Sequence, residues 1–122
     1  MWTYSQTSGV LTRNGIRYGQ GYSGHGAGVN NPTLQNVSNV GPCPQGRWSI
    51  GAPFTHPHCG PFSMRLTPES GTETFGRSGF LIHGDLAGEV GKDLASDGCI
   101  ILARDLREEI SDSNDWELTV TP

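Results

Sequence analysis

The sequence predicts a mainly β domain built of short strands, with a helix near its C-terminal end. Three observations carry this. Eighteen glycines and eight prolines punctuate 122 residues, only 34% of residues are hydrophobic, and apolar clusters are spread along the whole chain. Such a composition describes a loop-rich globular fold and excludes a helical bundle.

The first cluster, "WTYSQTSGVLTRNGIRYGQGYSG", reads as short antiparallel strands, because Asn14-Gly15 suits a two-residue primed turn between "VLTR" and "IRYG". Residues 24–46, rich in Gly, Asn and Pro, form a loop layer with room for one helical turn. "RWSIGAPF" and "PFSMRLTP" each read as a strand closed by proline, and "GFLIHG" as a strand inside a sheet. After the apolar run "GCIIL", Leu102, Leu106 and Ile110 recur every four residues, as on one face of a short helix. "SDSND" ends it and "WELTV" supplies a last strand. The length fits one domain, residues 1–122, and so any site must sit on the core itself.

Eight Lys plus Arg against twelve Asp plus Glu give a formal charge of −4, with no basic cluster. Nucleic acid and anionic membranes are therefore poor partners. No apolar run approaches the roughly 20 residues of a membrane span, and "MWTYSQTSG" lacks the regions of a secretory signal. Synthesis in the cytoplasm as a soluble monomer is the expectation.

Several chemistries fail on spacing. "GQGYSG" has the glycines of a dinucleotide loop, but "HGAGVNNP" follows it and cannot begin a helix. Cys43, His56, His58 and Cys59 carry metal-ligating atoms without the paired spacing of a zinc site, so no metal is expected. Neither "GYSGH" nor "GRSGF" is a serine-hydrolase elbow, and the carboxylates are scattered. With three cysteines, pairing of Cys43 with Cys59 would leave Cys99 free; three reduced thiols is the other arithmetic.

What remains is "FLIHGDLAGEVGKDLASDGCIIL", with His83 and Cys99 sixteen positions apart, each beside a glycine and an apolar run. A cysteine nucleophile needs a base within reach and donors aimed at the oxyanion. His83 ends a strand, Gly98 clears space before Cys99, and the consecutive amides of Gly98 and Cys99 are candidate oxyanion donors. The competing reading is a small buried cysteine and a satisfied core histidine.

Ile82-His83-Gly84 and Ser96-Asp97-Gly98-Cys99-Ile100 resemble the signature of YkuD-type L,D-transpeptidase catalytic domains. "NVGPCPQGRWSIG", "MRLTP" and "GTETFGRSGFLIHGD" extend the resemblance, over nearly the whole chain, to the type VI secretion L,D-transpeptidase effectors of the Tlde family. The resemblance implies a YkuD-like β-sandwich or barrel with one or two short helices and no cofactor. It implies cysteine-dependent L,D-carboxypeptidase and D-amino-acid exchange activity at the meso-diaminopimelate to D-Ala bond of peptidoglycan stem tetrapeptides. Cys99 would be the nucleophile, His83 the base, and the Gly84 carbonyl the group orienting the imidazole, with Ser96 and Asp85 in support. Asp97 and Ile101 depart from the housekeeping pattern, which has histidine and arginine or asparagine there. Arg77 is the candidate replacement cation, and Tyr22 and His25 are candidate cleft residues.

The resemblance also implies injection into the periplasm of a target bacterium, a secretion apparatus and a cognate immunity protein. In that oxidising space a Cys43–Cys59 bond would stabilise the fold by about 3 kcal/mol. A quiet wall-binding module of the same fold, or a cysteine amidase or peptidase cutting another stem bond, are the rival functions.

Overall fold

The computed structural model describes residues 1–85 and 96–122. The intervening part of the polar, glycine-containing segment between His83 and Cys99 lies outside the described residues. Strands β1 (Trp2–Ser5), β2 (Val10–Arg13), β3 (Ile16–Gln20) and β4 (Tyr22–Ser23) come first. β5 (Gly46–Ile50), β6 (Phe54–His56), β7 (Gly60–Pro68), β8 (Leu81–His83) and β9 (Ile100–Ile101) follow, then helix α1 (Arg104–Ser113) and β10 (Glu117–Thr121). The mainly β expectation holds.

Local chemistry sets the first hairpin. Arg13 pairs with Ile16 across the turn, and Asn14 and Gly15 both have positive φ, 52° and 79°, as a type I′ turn requires. "RWSIGAPF" does not stay one strand: residues 51–53 separate β5 from β6, which folds back on β7. The loop layer holds two 3-10 turns, Gly26–Gly28 and Pro32–Leu34, instead of one, the second capped by Asn31 accepting from the Thr33 N–H at 3.2 Å. Leu102 lies before α1, not in it. Its N–H bonds the His83 carbonyl at 3.0 Å, extending the parallel β8–β9 ladder by one residue.

The strands run in the order β3-β2-β1-β10-β5-β7-β8-β9-β4, with β6 on β7. The first and last strands of that order, β3 and β4, are separated in the chain only by Gly21. A sheet whose two ends are neighbours in sequence must curl until they meet, so the fold is nearly a barrel. Gly21 makes the seam possible: a Cβ there would lie 1.9 Å from the Ile101 carbonyl oxygen.

The core fills the curl. Trp2, Tyr4, Trp48, Met64, Ile82, Ile100, Leu102, Ile110 and Leu118 are buried in one cluster, with Trp48 meeting Phe80 edge-on at 5.1 Å. Helix α1 closes one side with Leu106 and Ile110, Leu106 seated over Gly19 where a Cβ would lie 2.6 Å from Cδ1. Asn114, left-handed at φ 59°, ends the helix and turns the chain into β10. No helix among the described residues is long and apolar enough to cross a membrane.

Candidate active site

β8 and β9 run parallel with Ile82 opposite Ile100 and His83 opposite Ile101. Side chains alternate along strands, so Leu81 and His83 share one face with Cys99 and Ile101. His83 on β8 and Cys99, the residue just before β9, are therefore placed toward the same side. Both line one cavity of about 440 Å³, together with Cys59, Arg77, Phe80, Asp97 and Gly98.

His83 is 2% exposed, and its Nδ1 lies 2.8 Å from the Gly84 carbonyl oxygen. A carbonyl can only accept, so Nδ1 carries the proton and Nε2 is left as a base. Burial, and after it the charges of Arg107 and His56, hold the imidazole below its usual range against the raising influence of the Gly84 carbonyl and Asp85. The histidine is thus a neutral base near neutral pH.

The Cys99 thiol is pushed up to about 11, chiefly by burial, with Cys59 and Asp97 adding to it. The Leu81 N–H directed at the sulfur and the charge of Arg65 act the other way. Sγ also makes a long, 3.8 Å contact to the Gly79 carbonyl. The resting pair is a neutral thiol beside a neutral imidazole, and proton transfer must accompany attack.

Ser96, completely buried, organises the turn before the cysteine. Its Oγ accepts from the N–H groups of Gly24 and Gly98, each at 3.0 Å, and donates to the Cys99 carbonyl at 2.6 Å. Ser23, a residue that sequence reading passed over, donates to the Gly98 carbonyl at 3.1 Å and accepts from the Cys43 N–H at 2.8 Å. The Gly98 amide is consequently spent on Ser96, and the expected two-amide oxyanion hole at Gly98 and Cys99 does not form. Of the two, only the Cys99 amide remains as candidate donor.

Arg77 is also corrected. It is 7% exposed, and its guanidinium donates to the carbonyls of Gln35, Gly41 and Pro42 at 2.5 to 2.9 Å and to that of Asp97 at 3.4 Å. Those contacts tie the loop layer to the turn before Cys99, which makes Arg77 a structural clamp at the wall of the Cys99 cavity, with most of its donors spent on backbone carbonyls. Among the described residues, Arg65 is an exposed cation on the same face of the sheet, on β7 opposite Leu81 and stacked over Phe54 at 5.6 Å. Its signal in the sequence was alternation: Arg65 falls between buried Met64 and Leu66.

The other expected residues separate. Tyr22 donates from its hydroxyl to Asp85 at 2.5 Å, and both line a second cavity at the barrel seam together with Gly84. His25 lines neither of these two cavities; it precedes the first 3-10 turn and makes no side-chain cap bond. Cys43, Cys59 and Cys99 are free thiols, so the Cys43–Cys59 bond is not formed. Cys43 is fully buried against the core, whereas Cys59 sits in the β6–β7 turn, where its N–H and that of His58 are held by His56 Nδ1.

The near-closed, mainly β architecture is an L,D-transpeptidase-like fold. This chain belongs to the Tlde1 domain family, matching it over residues 18–115. Its fold is similar to an L,D-transpeptidase from Mycobacterium smegmatis, with a TM-score of 0.55 and 16% identity over 99% of this chain and 58% of that one. It is equally similar to L,D-transpeptidase 1 of Mycobacterium tuberculosis, with a TM-score of 0.55 and 16% identity over 100% and 61%. The chain thus spans about three fifths of those structures. A search of curated protein sequences returned no match.

Proposed function

We propose that this protein is a cysteine-dependent L,D-carboxypeptidase and exchange transpeptidase acting on the meso-diaminopimelate to D-Ala bond of peptidoglycan stem tetrapeptides. The observation that carries the reading is the placement of Cys99 and His83 in one cavity, with His83 Nδ1 held by the Gly84 carbonyl. Nε2 takes the thiol proton as Sγ attacks the carbonyl of the L-centre, and the negative charge collects on the carbonyl oxygen near the Cys99 amide. Collapse breaks the C–N bond, His83 returns the proton to the leaving amine, and D-alanine departs from a thioester. Water then releases the tripeptide, or the amine of another D-amino acid restores a tetrapeptide. In both deacylations His83 again takes the nucleophile's proton and delivers it to the departing sulfur.

The same proposal includes the setting that the sequence resemblance implies: an injected effector, met by a cognate immunity protein, acting in a target periplasm. The test is incubation of purified muropeptides with wild type and Cys99→Ala. Wild type should remove one alanine from tetrapeptides and Cys99→Ala should not. Equal turnover by the two proteins, or loss of a dipeptide or a whole stem, would overturn the reading.

A further inference from the structure

The turn before Cys99 carries a carboxylate that the fold does not use. Asp97 lines the Cys99 cavity and is its only carboxylate among the described residues. Its backbone is held fast: its carbonyl accepts from Nη2 of Arg77 at 3.4 Å, and the buried Ser96 Oγ beside it accepts from the Gly98 N–H at 3.0 Å and donates to the Cys99 carbonyl at 2.6 Å. The side chain is exposed and takes part in none of these bonds. Ion pairs among the described residues join Asp115 to Met1 and Arg13, Arg47 to Glu69 and Glu117, and Arg104 to Glu108; none reaches Asp97. Arg77, the guanidinium of the same cavity, directs its donors at backbone carbonyls.

For Cys99 this neighbour is a disadvantage. A negative charge two residues away opposes loss of the thiol proton, and Asp97 is among the groups that hold the thiol up. A cation seated on the carboxylate cancels that opposition. The substrate of the proposed reaction brings one: the side chain of meso-diaminopimelate ends in an amine that is protonated near neutral pH, joined by a few methylenes to the centre whose carbonyl Cys99 attacks. An ammonium on the same residue as the scissile carbonyl suits a carboxylate on the same turn as the nucleophile. The carboxylate beside that amine meets the positive charge of Arg77 at the same wall.

We propose that Asp97 is a specificity-determining residue, its carboxylate receiving the free side-chain ammonium of the diamino acid whose carbonyl is attacked. This role rests on the proposed L,D activity and deepens it. Asp97 selects stems whose third residue keeps that amine free and rejects stems in which the amine is already acylated, as it is when a cross-link runs through it. Thiol activation then depends on the substrate, because the charge opposing the thiolate is neutralised only when an ammonium is seated.

Calorimetry tests this with a stem tetrapeptide whose third residue has its side-chain amine free or acetylated, titrated into the Cys99→Ala protein and into the Asp97→Asn, Cys99→Ala protein. The first protein should bind the free peptide about tenfold more tightly than the acetylated one, the value of one charge-assisted hydrogen bond, and the second should bind both alike. With Cys99 intact, Asp97→Asn, which changes one exposed side chain, should speed alkylation of Cys99 by iodoacetamide, read by mass on the Cys99 peptide. Equal affinity of the Cys99→Ala protein for the two peptides, a preference that survives Asp97→Asn, or alkylation no faster than in wild type would each overturn the proposal. The two readings fail separately: if neither peptide binds, the stem-peptide substrate falls together with the role of Asp97, whereas two peptides bound alike remove only the role of Asp97.

Discussion

A Cβ on Gly98 would lie 2.4 Å from Nη2 of Arg77. The residue before Cys99 has to be glycine because the clamp passes through the volume a side chain would fill, at a backbone φ of +136° that other residues avoid. Gly98→Ala is expected to destabilise the protein by about 2–3 kcal/mol through combined strain and displacement of the clamp. Denaturant unfolding of wild type and variant measures it, and unchanged stability would remove the argument for this packing.

Arg77→Met should behave as a structural lesion. It leaves several carbonyls of the loop layer and the Asp97 turn without their donor, at a cost of about 3 kcal/mol. Unfolding midpoints and Michaelis parameters separate the roles: a raised KM with unaltered stability would restore Arg77 as a substrate-binding residue.

Arg65→Gln tests the exposed cation on β7. Removing a charge that favours the thiolate should slow alkylation of Cys99 by iodoacetamide, leave the unfolding midpoint where it was, and lose its effect at high salt because Arg65 is exposed. Equal alkylation rates at low salt would contradict this assignment.

The pH dependence follows from the two shifted groups. His83 must be neutral to act, and its lowered value places the acid limb of kcat/KM below pH 6.5. Because the thiol is held up to about 11, no basic limb should appear through pH 9. The same depression links to stability. The unfolded histidine binds a proton more readily than the folded one, so stability present above pH 6.5 is lost as pH falls toward the lowered value. His83→Gln should flatten that acid slope in thermal melts. An acid limb above pH 6.5 would contradict the lowered imidazole, and a basic limb below pH 9 would mean that a thiolate–imidazolium pair is preformed.

Alkylation in denaturant without reductant should add three groups per chain, one for each of Cys43, Cys59 and Cys99. A product carrying one group would show that Cys43 and Cys59 pair after all.

Much of the local architecture was determined by the sequence alone, because local rules act over a few residues. Asn14-Gly15 prescribed its turn, a proline-closed run and a β-rich run marked β7 and β8, and the four-residue spacing of Leu106 and Ile110 placed the helix. The pairing of His83 with Cys99 was also legible, but only as a suggestion until Ile82-His83-Gly84 and Ser96 to Ile100 were read as one signature. What the tertiary structure decided were the partners of the polar groups. No pattern along the chain tells that the Gly98 amide turns to Ser96, that Arg77 spends its donors on loop carbonyls, or that Arg107 reaches the carbonyls of Pro61 and Phe62. Hydrogen bonds of that kind join residues far apart in the chain, 46 positions from Arg107 to Pro61 and 75 from Ser23 to Gly98, and are set by how the barrel closes at Gly21. The residue types thus supplied the chemistry, while closure of the sheet determined which of them face the reaction and which only hold it in place.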